Sequence, residues 1–350
     1  MAVITIVGSG MMGSALAFPA RENGHEVRLV GTHLDREIID ACRATNRHPK
    51  FVSNFPQGIQ FYQLEELEEA LQGADLVIGG VSSFGVEWFG EYVLPRIADG
   101  TKMLTVTKGL MNQENGDLLP YPYLWQKKLD ELGKKQVKLM AVGGPCTSYE
   151  LVAHDQTEVA FCGNDMEALQ SIKQLMQTDY YHISLSRDIM GIESAVALKN
   201  GFALGIALTI GLNQRRFGVD SELHFNSQAA VFGEAAKEMA YLLQLQGAAD
   251  PNNLWVGIGD LYVTVYGGRT RLAGILLGRG LNIDETRQEL AGVTLESLVV
   301  ATRVAKAMRV QAEQGKADLN RLPLLMHVDE ILTQKKPVDI PWEAFTFVQA

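Results

Sequence analysis

The sequence predicts an α/β N-terminal domain followed by an all-α C-terminal domain. In the first half of the 350-residue chain, short apolar runs alternate with helical patterns, as in a parallel sheet covered by helices. Beyond residue 187, apolar residues recur every three or four positions, which is typical of helices. We therefore divide the chain into a sheet-bearing domain at 1–187 and a helical domain at 188–350.

A glycine-rich turn near the N-terminus carries the first functional signal. The apolar run Val3–Val7 is followed by Gly8-Ser9-Gly10-Met11-Met12-Gly13, a predicted helix over 14–23 and a predicted strand over 27–30. Strand, glycine turn, helix and strand within about 30 residues are the fingerprint of a Rossmann-like dinucleotide-binding domain. The alternative is a glycine turn that serves only the fold.

Each glycine of this turn has a physical reason. Gly8 permits the tight turn, Gly10 lets backbone N–H groups approach a pyrophosphate, and Gly13 lets the helix pack against the strand. The helix N-terminus adds partial positive charge that attracts the anion. We therefore expect the whole turn to bind the cofactor, through Gly8, Ser9, Gly10, Met11, Met12 and Gly13.

The end of the second predicted strand bears on the choice of cofactor. Val30 is followed by Gly31-Thr32-His33, so no carboxylate stands directly where an NAD-specific site holds the adenine ribose. Asp35 lies close by, but so does Arg36, whose guanidinium matches a 2′-phosphate. We include His33 among the expected cofactor residues, and the cofactor is NAD or NADP.

Later strands of this domain end in residues suited to ligand binding. An acidic helix is predicted over 64–72, and strands are predicted over 59–62, 74–82, 102–107, 138–142, 157–161 and 182–186. Ligands of open α/β sheets bind beyond the carboxyl ends of the strands. Lys108 and Gly144 follow two of these strands, which makes them candidate site residues. For Lys108 the alternative is a solvated loop lysine.

A long apolar helix, predicted over 191–212, contains a lysine. Apolar residues fill nearly every position from Ala195 to Leu212, so the helix is expected to be buried, yet Lys199 lies within that run. An unpaired ammonium inside a protein costs several kcal/mol. Lys199 therefore reaches the surface, pairs with a structural acid such as Glu193, or faces a substrate cleft as a proton donor. The charged break argues against a membrane span.

A glycine- and arginine-rich segment lies among the remaining helices, which are predicted over 225–246, 285–312 and 322–333. No helix is predicted over 257–268, and this segment leads into a short helix that ends at Leu277. The glycines, the helix start, Arg269 and Arg271 predict an anion site, unless the two arginines are surface residues of a loop. Asp260 is either the partner of a buried lysine or a helix N-cap.

Composition excludes several classes of protein. The formal net charge of −10 argues against a general nucleic-acid or anionic-membrane binder, although a local basic cluster can still hold an anionic small molecule. Cys42, Cys146 and Cys162 are odd in number and widely spaced, which indicates neither disulfides nor a metal site. Since no signal-peptide pattern is present at the start, we expect a cytoplasmic protein.

The ordered motifs of the chain resemble those of the NAD(P)-dependent glycerol-3-phosphate dehydrogenase family. The resemblance runs almost from end to end. In chain order the motifs are GSGMMG at 8–13, TKGL at 107–110, GGP at 143–145 with Glu150, GIESAVALKN at 191–200, GIGDL at 257–261 with Thr264, YGGRTR at 266–271 and Leu295-Glu296. No single motif is decisive, but the ordered set is specific.

The resemblance implies roles for particular residues. It makes Lys199 the proton donor and acceptor, and Lys108 a second lysine that borders nicotinamide and substrate. Asp260 becomes the acid that orients the lysines, Thr264 a substrate-pocket hydroxyl, and Arg269 the arginine that meets the substrate phosphate near the cofactor. The further implied substrate residues are Gly144, Cys146 and Thr270, and the further implied cofactor residues are His33, Lys108, Ser148, Arg269 and Glu296.

The resemblance also implies the reaction and the partners. The reaction is a reversible hydride transfer between NAD(P)H and dihydroxyacetone phosphate that gives sn-glycerol 3-phosphate. The implied architecture is a Rossmann-like domain and a helical domain with the site between them, often in a homodimer. The implied ligand is a small phosphorylated molecule, and neither a nucleic acid, a metal nor a membrane is expected.

Three departures from the family pattern surround the substrate end. Thr270 stands where the family has Asn, Cys146 where it has Ser, and Ser82 where it has Pro. An alternative interpretation is therefore that the chain is a family relative that reduces a different phosphorylated ketose or 2-keto compound. A non-catalytic dinucleotide-binding redox sensor is a further alternative, although a sensor has no use for Lys199 beside Asp260.

Overall fold

The computed structural model describes residues 1–250, 253–267, 269–293 and 295–346. The chain folds into two compact units. The first contains Met1–Lys108 and Pro120–Glu193, and the second contains Gly109–Leu119 and Ser194–Ala350. A parallel-sheet α/β unit followed by a helical unit confirms the predicted fold class.

A twisted sheet forms the core of the first unit. The strands are β1 (Val3–Val7), β2 (Glu26–Val30), β3 (Gln60–Tyr62), β4 (Leu76–Gly79), β5 (Lys102–Thr105), β6 (Leu110–Asn112), β7 (Leu118–Pro120), β8 (Lys138–Gly143), β9 (Thr157–Gly163) and β10 (Tyr181–Ser186). Eight of them pair in the order β10-β9-β8-β5-β4-β1-β2-β3, while β6 and β7 form a separate hairpin. All neighbours in the sheet are parallel except β8 and β9.

The register of the central strands positions the glycine turn. Val7 pairs with Val30 of β2 on one side and with Gly79 of β4 on the other, so the carboxyl ends of three strands meet at one edge of the sheet. The central strands read as continuous apolar runs because helices cover both faces of a parallel sheet. Gly8 leaves the sheet at this shared edge.

Helices of the first unit connect and cover these strands. They are α1 (Met11–Glu22), α2 (Arg36–Thr45), α3 (Leu67–Leu71), α4 (Val86–Trp88), α5 (Tyr121–Glu131), α6 (Ser148–Val152) and α7 (Met166–Met176). The acidic helix predicted over 64–72 is instead a 3₁₀ turn at Leu64–Glu66 followed by α3. The strands predicted over 74–82 and 102–107 end earlier, at Gly79 and Thr105.

The second unit is mainly helical. Its helices are α8 (Ile189–Phe217), which begins in the first unit, α9 (Phe225–Leu245), α10 (Leu254–Gly267), α11 (Arg269–Arg279), α12 (Ile283–Glu289), α13 (Glu296–Glu313) and α14 (Pro323–Gln334). The β6–β7 hairpin belongs to this unit because it packs on α13, where Asn112 Nδ2 donates to the Arg303 carbonyl over 2.8 Å.

Two predictions about this unit are wrong. Residues 257–267, for which no helix is predicted, lie in α10, whose buried residues include Val256, Leu261 and Val265. The single helix predicted over 285–312 is two helices, α12 and α13. Gly292, between the two helices, has φ = 84°, a left-handed conformation that glycine adopts readily.

Close glycine contacts hold α10 and α11 against α8. A Cβ placed on Gly257 would lie 2.9 Å from the Ala195 carbonyl oxygen, and one on Gly274 would lie 2.7 Å from the Leu204 carbonyl oxygen. No side chain fits at these positions without moving a helix. Both helices therefore pack on α8 at backbone distance, which fixes where their polar residues lie.

Helix α8 is the one helix in the described ranges that is long and apolar enough to cross a membrane. Within its most apolar window, 83% of the residues are buried inside the protein. This burial is typical of the core helix of a globular unit, and one such helix is weak evidence for a membrane span.

Candidate active site

The glycine turn at the end of β1 forms a tight cradle. Gly8 has φ = 111° and its N–H donates to the Val30 carbonyl over 2.9 Å, and a Cβ there would lie 2.7 Å from the carbonyl carbon of Gly80. A Cβ on Gly13 would lie 2.2 Å from the Gly8 carbonyl oxygen, so only glycine permits this approach of α1 to β1. Gly10 is open by comparison, with its nearest neighbour 3.9 Å away.

The first turn of α1 is suited to an anion. Met11 and Met12 begin this helix of 12 residues, and Gly10 precedes it. Backbone N–H groups in the first turn have no acceptor within the helix, and they carry the positive end of the helix dipole. The cradle therefore fits the pyrophosphate of a dinucleotide.

The Asp35 side chain holds the glycine turn in place through hydrogen bonds. Its Oδ2 accepts hydrogen bonds from the Ser9 N–H over 3.3 Å, the Thr32 N–H over 2.9 Å and the Thr32 hydroxyl over 2.8 Å. The Lys50 N–H donates to Nδ1 of His48, so Nε2 carries the proton and donates to the Ser9 carbonyl over 3.1 Å. Burial lowers the pKa of His48, which keeps this ring neutral.

The tip beyond β2 exposes the residues expected to distinguish NAD from NADP. His33 is exposed and packs its ring against Trp88, with ring centroids 5.4 Å apart. Arg36 is exposed and forms an ion pair with Glu65. The Asp35 carboxylate is hydrogen-bonded to the turn, whereas the basic residues His33 and Arg36 are exposed.

Lys108 and Gly144 lie together at the ends of β5 and β8. The Lys108 ammonium donates to the Gly144 carbonyl over 3.3 Å, and Gly144 has φ = 136°. Met12 and Cys146 line the same small cavity as this pair. Lys108, Gly144 and Cys146 therefore lie together beside the start of α1, whereas Ser148 is buried at the start of α6.

Lys199 and Asp260 form a buried ion pair in the second unit. The Lys199 ammonium donates to Asp260 Oδ1, and the side chains are 12% and 1% exposed. Ala195 lies one turn before Lys199 on α8, and Gly257 lies one turn before Asp260 on α10, so their close contact aligns the pair. Asp260 lies within a helix, so its alternative interpretation as an N-cap is wrong.

The remaining predicted substrate residues lie on α10 and α11. Thr264 is one turn beyond Asp260, and its hydroxyl donates to the Asp260 carbonyl over 2.7 Å. Arg269 is exposed at the first position of α11, and Thr270 follows it in a buried position. Arg271 is half-buried, with an Nε that lacks a hydrogen-bond partner among the described residues. Arginine side chains at a helix start suit a phosphate.

The structure thus gathers the predicted residues into two sets. The first unit contains the glycine turn with Lys108, Gly144 and Cys146, and the second contains Lys199, Asp260 and the start of α11. The side chain of Glu296 lies outside the described part of the chain. Sequence reasoning missed His48, because a single histidine in an irregular segment carries no local signal.

A glycine cradle at the edge of a parallel sheet and a buried lysine–aspartate pair define a dinucleotide-dependent oxidoreductase. Family models described as the N-terminus and the C-terminus of NAD-dependent glycerol-3-phosphate dehydrogenase match residues 3–169 and 188–343. The chain belongs to the NAD(P)-dependent glycerol-3-phosphate dehydrogenase family.

Two similar proteins are named as glycerol-3-phosphate dehydrogenases. The NADP(+)-dependent glycerol-3-phosphate dehydrogenase of Archaeoglobus fulgidus is 33% identical over 289 residues, which cover 82% of this chain and 83% of that protein. The NAD(P)+ glycerol-3-phosphate dehydrogenase of Leuconostoc citreum is 25% identical over 341 residues, which cover 97% and 95%.

Solved structures support the fold. Glycerol-3-phosphate dehydrogenase from Coxiella burnetii aligns with a TM-score of 0.77 at 24% identity, over 98% of this chain and 97% of that one. The enzyme from Plasmodium falciparum aligns with a TM-score of 0.81 at 20% identity, over 96% and 92%. The comparisons confirm the predicted family, the oxidoreductase class and the NAD(P) cofactor, and they support reduction of dihydroxyacetone phosphate to glycerol 3-phosphate.

Proposed function

We propose that Lys199 is the general acid that protonates the substrate oxygen during reduction of dihydroxyacetone phosphate. The observation that carries this proposal is the buried ion pair between Lys199 on α8 and Asp260 on α10, both within the region that matches the family's C-terminal model. Reduction of a ketone places negative charge on its oxygen. A buried ammonium within hydrogen-bond reach stabilises that charge and supplies the proton, and the same group accepts the proton in the reverse direction.

Asp260 holds the Lys199 ammonium in place in this proposal. Its carboxylate accepts one of the three ammonium protons and so fixes the orientation of the ammonium group. A buried ammonium also needs a counter-charge, and Asp260 supplies it. Thr264, one turn further along α10, contributes a hydroxyl oxygen beside the pair.

The start of α11 binds the substrate phosphate in this proposal. Arg269 supplies a guanidinium, and the backbone N–H groups at the helix start add donors and partial positive charge. Thr270 replaces the family's asparagine with a hydroxyl donor of shorter reach. A local basic cluster is required because the chain as a whole has a net charge of −10.

The first unit contributes the cofactor cradle and a second cation. NAD(P)H, when bound, supplies the hydride. The turn Gly8–Gly13 and the first N–H groups of α1 bind its pyrophosphate, while Lys108 and Gly144 lie at the neighbouring strand ends. We assign to Lys108 the binding of the substrate hydroxyl end, as the family resemblance implies.

The first test is the oxidation of NADH and NADPH with dihydroxyacetone phosphate, followed by absorbance. A panel of other phosphorylated ketoses, 2-keto acids and free ketones runs beside it. Turnover that is fastest on dihydroxyacetone phosphate supports the proposal. Faster turnover on another phosphorylated ketose would identify the altered-substrate relative, and cofactor binding without turnover on any ketone would identify the sensor.

A second test addresses the role of Lys199. Lys199→Ala removes the ammonium, so kcat should fall by about 100-fold or more while the dissociation constant for NAD(P)H stays nearly unchanged. The matched control is Lys306→Ala, a change of an exposed lysine on α13. Near-normal turnover in Lys199→Ala would refute the assignment.

NADP(H) is the preferred cofactor in this proposal. The Asp35 carboxylate is engaged by Ser9 and Thr32, while His33 and Arg36 are exposed at the tip of β2. The Archaeoglobus relative is also named as NADP(+)-dependent. We expect kcat/KM for NADPH to exceed that for NADH by about tenfold or more, and Arg36→Ala should lower it for NADPH alone. Equal use of both cofactors by the unmodified protein would refute this preference.

We also propose a cytoplasmic homodimer. Cys42, Cys146 and Cys162 are free thiols, which is expected in a reducing compartment. A second copy of the chain is the partner that the family resemblance implies. Sedimentation of the purified protein tests the dimer, and fractionation of the source cells tests the compartment.

A further inference from the structure

The chain that follows α14 lies on the second unit without regular structure of its own at first. Residues 336–341 belong to no helix or strand, and a 3₁₀ turn at Trp342–Phe345 follows them. Pro337 and Pro341 have no backbone N–H and favour an extended conformation in the residue before each of them. We call residues 336–346 the strap.

Apolar side chains of the strap pack on the core of the second unit. Ile340 is 4% exposed, and Val338 and Phe345 are partly buried against the same core. The Lys237 ammonium on α9 donates to the Phe345 carbonyl over 3.0 Å, which holds the far end of the strap. Release of the strap would therefore uncover apolar surface that the closed strap keeps from water.

His327 on α14 holds the middle of the strap through one hydrogen bond. The Asp339 N–H donates to His327 Nε2 over 3.2 Å. Within the described part of the chain, this is the one backbone N–H of residues 337–341 that has a hydrogen-bond partner. Because a backbone N–H can only donate, Nε2 carries no proton and the ring accepts as a neutral imidazole.

Protonation of His327 would remove this acceptor. Both nitrogens of an imidazolium ion carry protons, so the Nε2 proton would point at the Asp339 N–H. A strand in a sheet could lose one bond of many, but this part of the strap has no ladder of backbone bonds. Segments with few such bonds open locally at low cost, so the state of this ring decides how firmly the strap is held.

The surroundings of His327 favour its neutral form while the strap is closed. Burial lowers the pKa of His327, the carboxylates of Glu330 and Asp339 oppose this shift, and the Lys336 ammonium adds to it. An ordinary histidine titrates near about 6.5, so a released strap allows the ring to bind a proton more readily than a closed one. The closed strap is therefore favoured above about pH 6.5 and loses that advantage as the pH falls below it.

We propose that His327 is a pH-sensitive latch: the neutral ring keeps the strap on α14, and protonation in mildly acidic conditions releases it. This device is independent of the reaction that the protein catalyses. Trp342 of the strap also lines a cavity of about 550 Å³ together with Leu212 and Ser227. Release of the strap therefore opens this cavity and uncovers Ile340.

Hydrogen exchange of the full chain, followed by mass spectrometry at about pH 7.5 and about pH 5.5, tests the latch. Each exchange rate is divided by the rate of an unstructured peptide at the same pH, which gives the protection of the strap. We expect this protection to be about three- to tenfold lower at the acidic pH, because opening is linked to the binding of one proton. Peptides from α8 serve as the internal reference and should keep their protection.

Two substitutions of His327 separate the loss of the acceptor from its titration. His327→Gln does not titrate in this range, and its amide oxygen can accept the Asp339 N–H, so its strap should be equally protected at both pH values. His327→Leu has no acceptor, so its strap should be poorly protected at both. The matched control is His182→Gln, an exposed change on β10, which should keep the pH dependence of the unmodified protein.

Equal protection of the unmodified strap at the two pH values would overturn the proposal, as would a pH dependence that persists in His327→Gln. A parallel loss of protection in α8 would also overturn it, because acid would then unfold the whole unit rather than release the strap. Thermal unfolding at each pH checks that the variants are folded, and the comparison of strap with α8 in the unmodified protein decides the question without them.

Discussion

The Lys199 ammonium donates a hydrogen bond to the Asp260 carboxylate, and the contact between Ala195 and Gly257 aligns the two helices that carry the pair. Asp260→Asn keeps the shape of the side chain but removes its charge. We expect kcat to fall by about 10- to 100-fold, because the ammonium loses the group that orients it, while the dissociation constant for NADPH stays nearly unchanged. Steady-state kinetics and fluorescence titration measure the two quantities.

A matched control for this prediction is Asp329→Asn on α14. Asp329 is also buried and pairs with Arg309 over 2.6 Å. Loss of either acid leaves a cation without its partner, so both variants should unfold at a lower temperature. The loss of turnover should be confined to Asp260→Asn. Equal losses of kcat in the two variants would mean that Asp260 acts through stability alone.

Gly257→Ala tests the close approach of α10 to α8. The added Cβ would lie 2.9 Å from the Ala195 carbonyl oxygen, so the helices must separate. Since Lys199 and Asp260 lie one turn further along the same helices, we expect kcat to fall by about tenfold and the free energy of unfolding by about 1–3 kcal/mol. Kinetics and chemical denaturation measure these changes.

Gly233→Ala on α9 is the control for that substitution. A Cβ at Gly233 meets no atom within 4 Å, so this change should raise stability by up to about 1 kcal/mol through helix propensity and leave kcat unchanged. If Gly257→Ala behaved like Gly233→Ala, the contact between the helices would not determine the geometry of the pair.

Arg269→Ala tests the phosphate site at the start of α11. We expect kcat/KM for dihydroxyacetone phosphate to fall by about 100-fold, whereas the slow reaction with unphosphorylated dihydroxyacetone should change little. Arg279→Ala, at the other end of the same helix, removes an arginine bonded to Gln214 and should leave both substrates unaffected. An equal loss on both substrates in Arg269→Ala would show a structural role instead.

Asp35→Ala distinguishes support of the glycine turn from recognition of the ribose. The carboxylate holds the Ser9 N–H and the Thr32 N–H, so its loss should raise KM for NADH and NADPH by similar factors, about fivefold to tenfold. If the Asp35 carboxylate instead bound the adenine ribose, its loss would raise KM for NADH alone. Initial rates at varied concentrations of each cofactor, in the same preparation, decide between the two.

Sequence patterns predicted those parts of the fold that depend on interactions between residues close together in the chain. The run Val3–Val7 followed by Gly8 could be identified as a strand and a glycine turn because apolar periodicity and glycine spacing are properties of adjacent residues. Lys199 could be singled out because a charge inside an apolar helix is costly wherever the helix packs. The family motifs then connected Lys199 with Asp260, which lie 61 positions apart in the chain.

Features that depend on distant contacts could not be predicted in this way. The sequence predicts no helix at Gly257, but its missing side chain lets α10 pack against Ala195, a residue far away in the sequence. The β6–β7 hairpin belongs to the second unit because it packs on α13, where Gln311 Nε2 also donates to the Gly116 carbonyl over 2.9 Å. Nothing in residues 109–119 alone indicates that partner.

Glu238 on α9 makes the stability of the second unit dependent on pH. Its carboxyl group is fully buried and its two oxygens accept the backbone N–H groups of Leu324 and Leu325, over 2.6 and 3.0 Å, at the start of α14. Burial raises the pKa of Glu238 to about 8, although the two N–H donors oppose that shift. The folded protein therefore keeps a proton that the unfolded chain releases near its ordinary pKa of about 4.3.

The sign of the effect follows from this difference in bound protons. Between about pH 5 and pH 8 the folded state binds one more proton at Glu238 than the unfolded state, so the free energy of unfolding should decrease as the pH rises, by up to about 1.4 kcal/mol per pH unit. Above pH 8 this contribution levels off. Glu238→Gln cannot titrate, so it should flatten the decrease in chemical denaturation measured across this range. Glu313→Gln, an exposed change on α13, should retain the full slope of the unmodified protein. A Glu238→Gln variant with an unaltered slope would show that other groups carry the pH dependence.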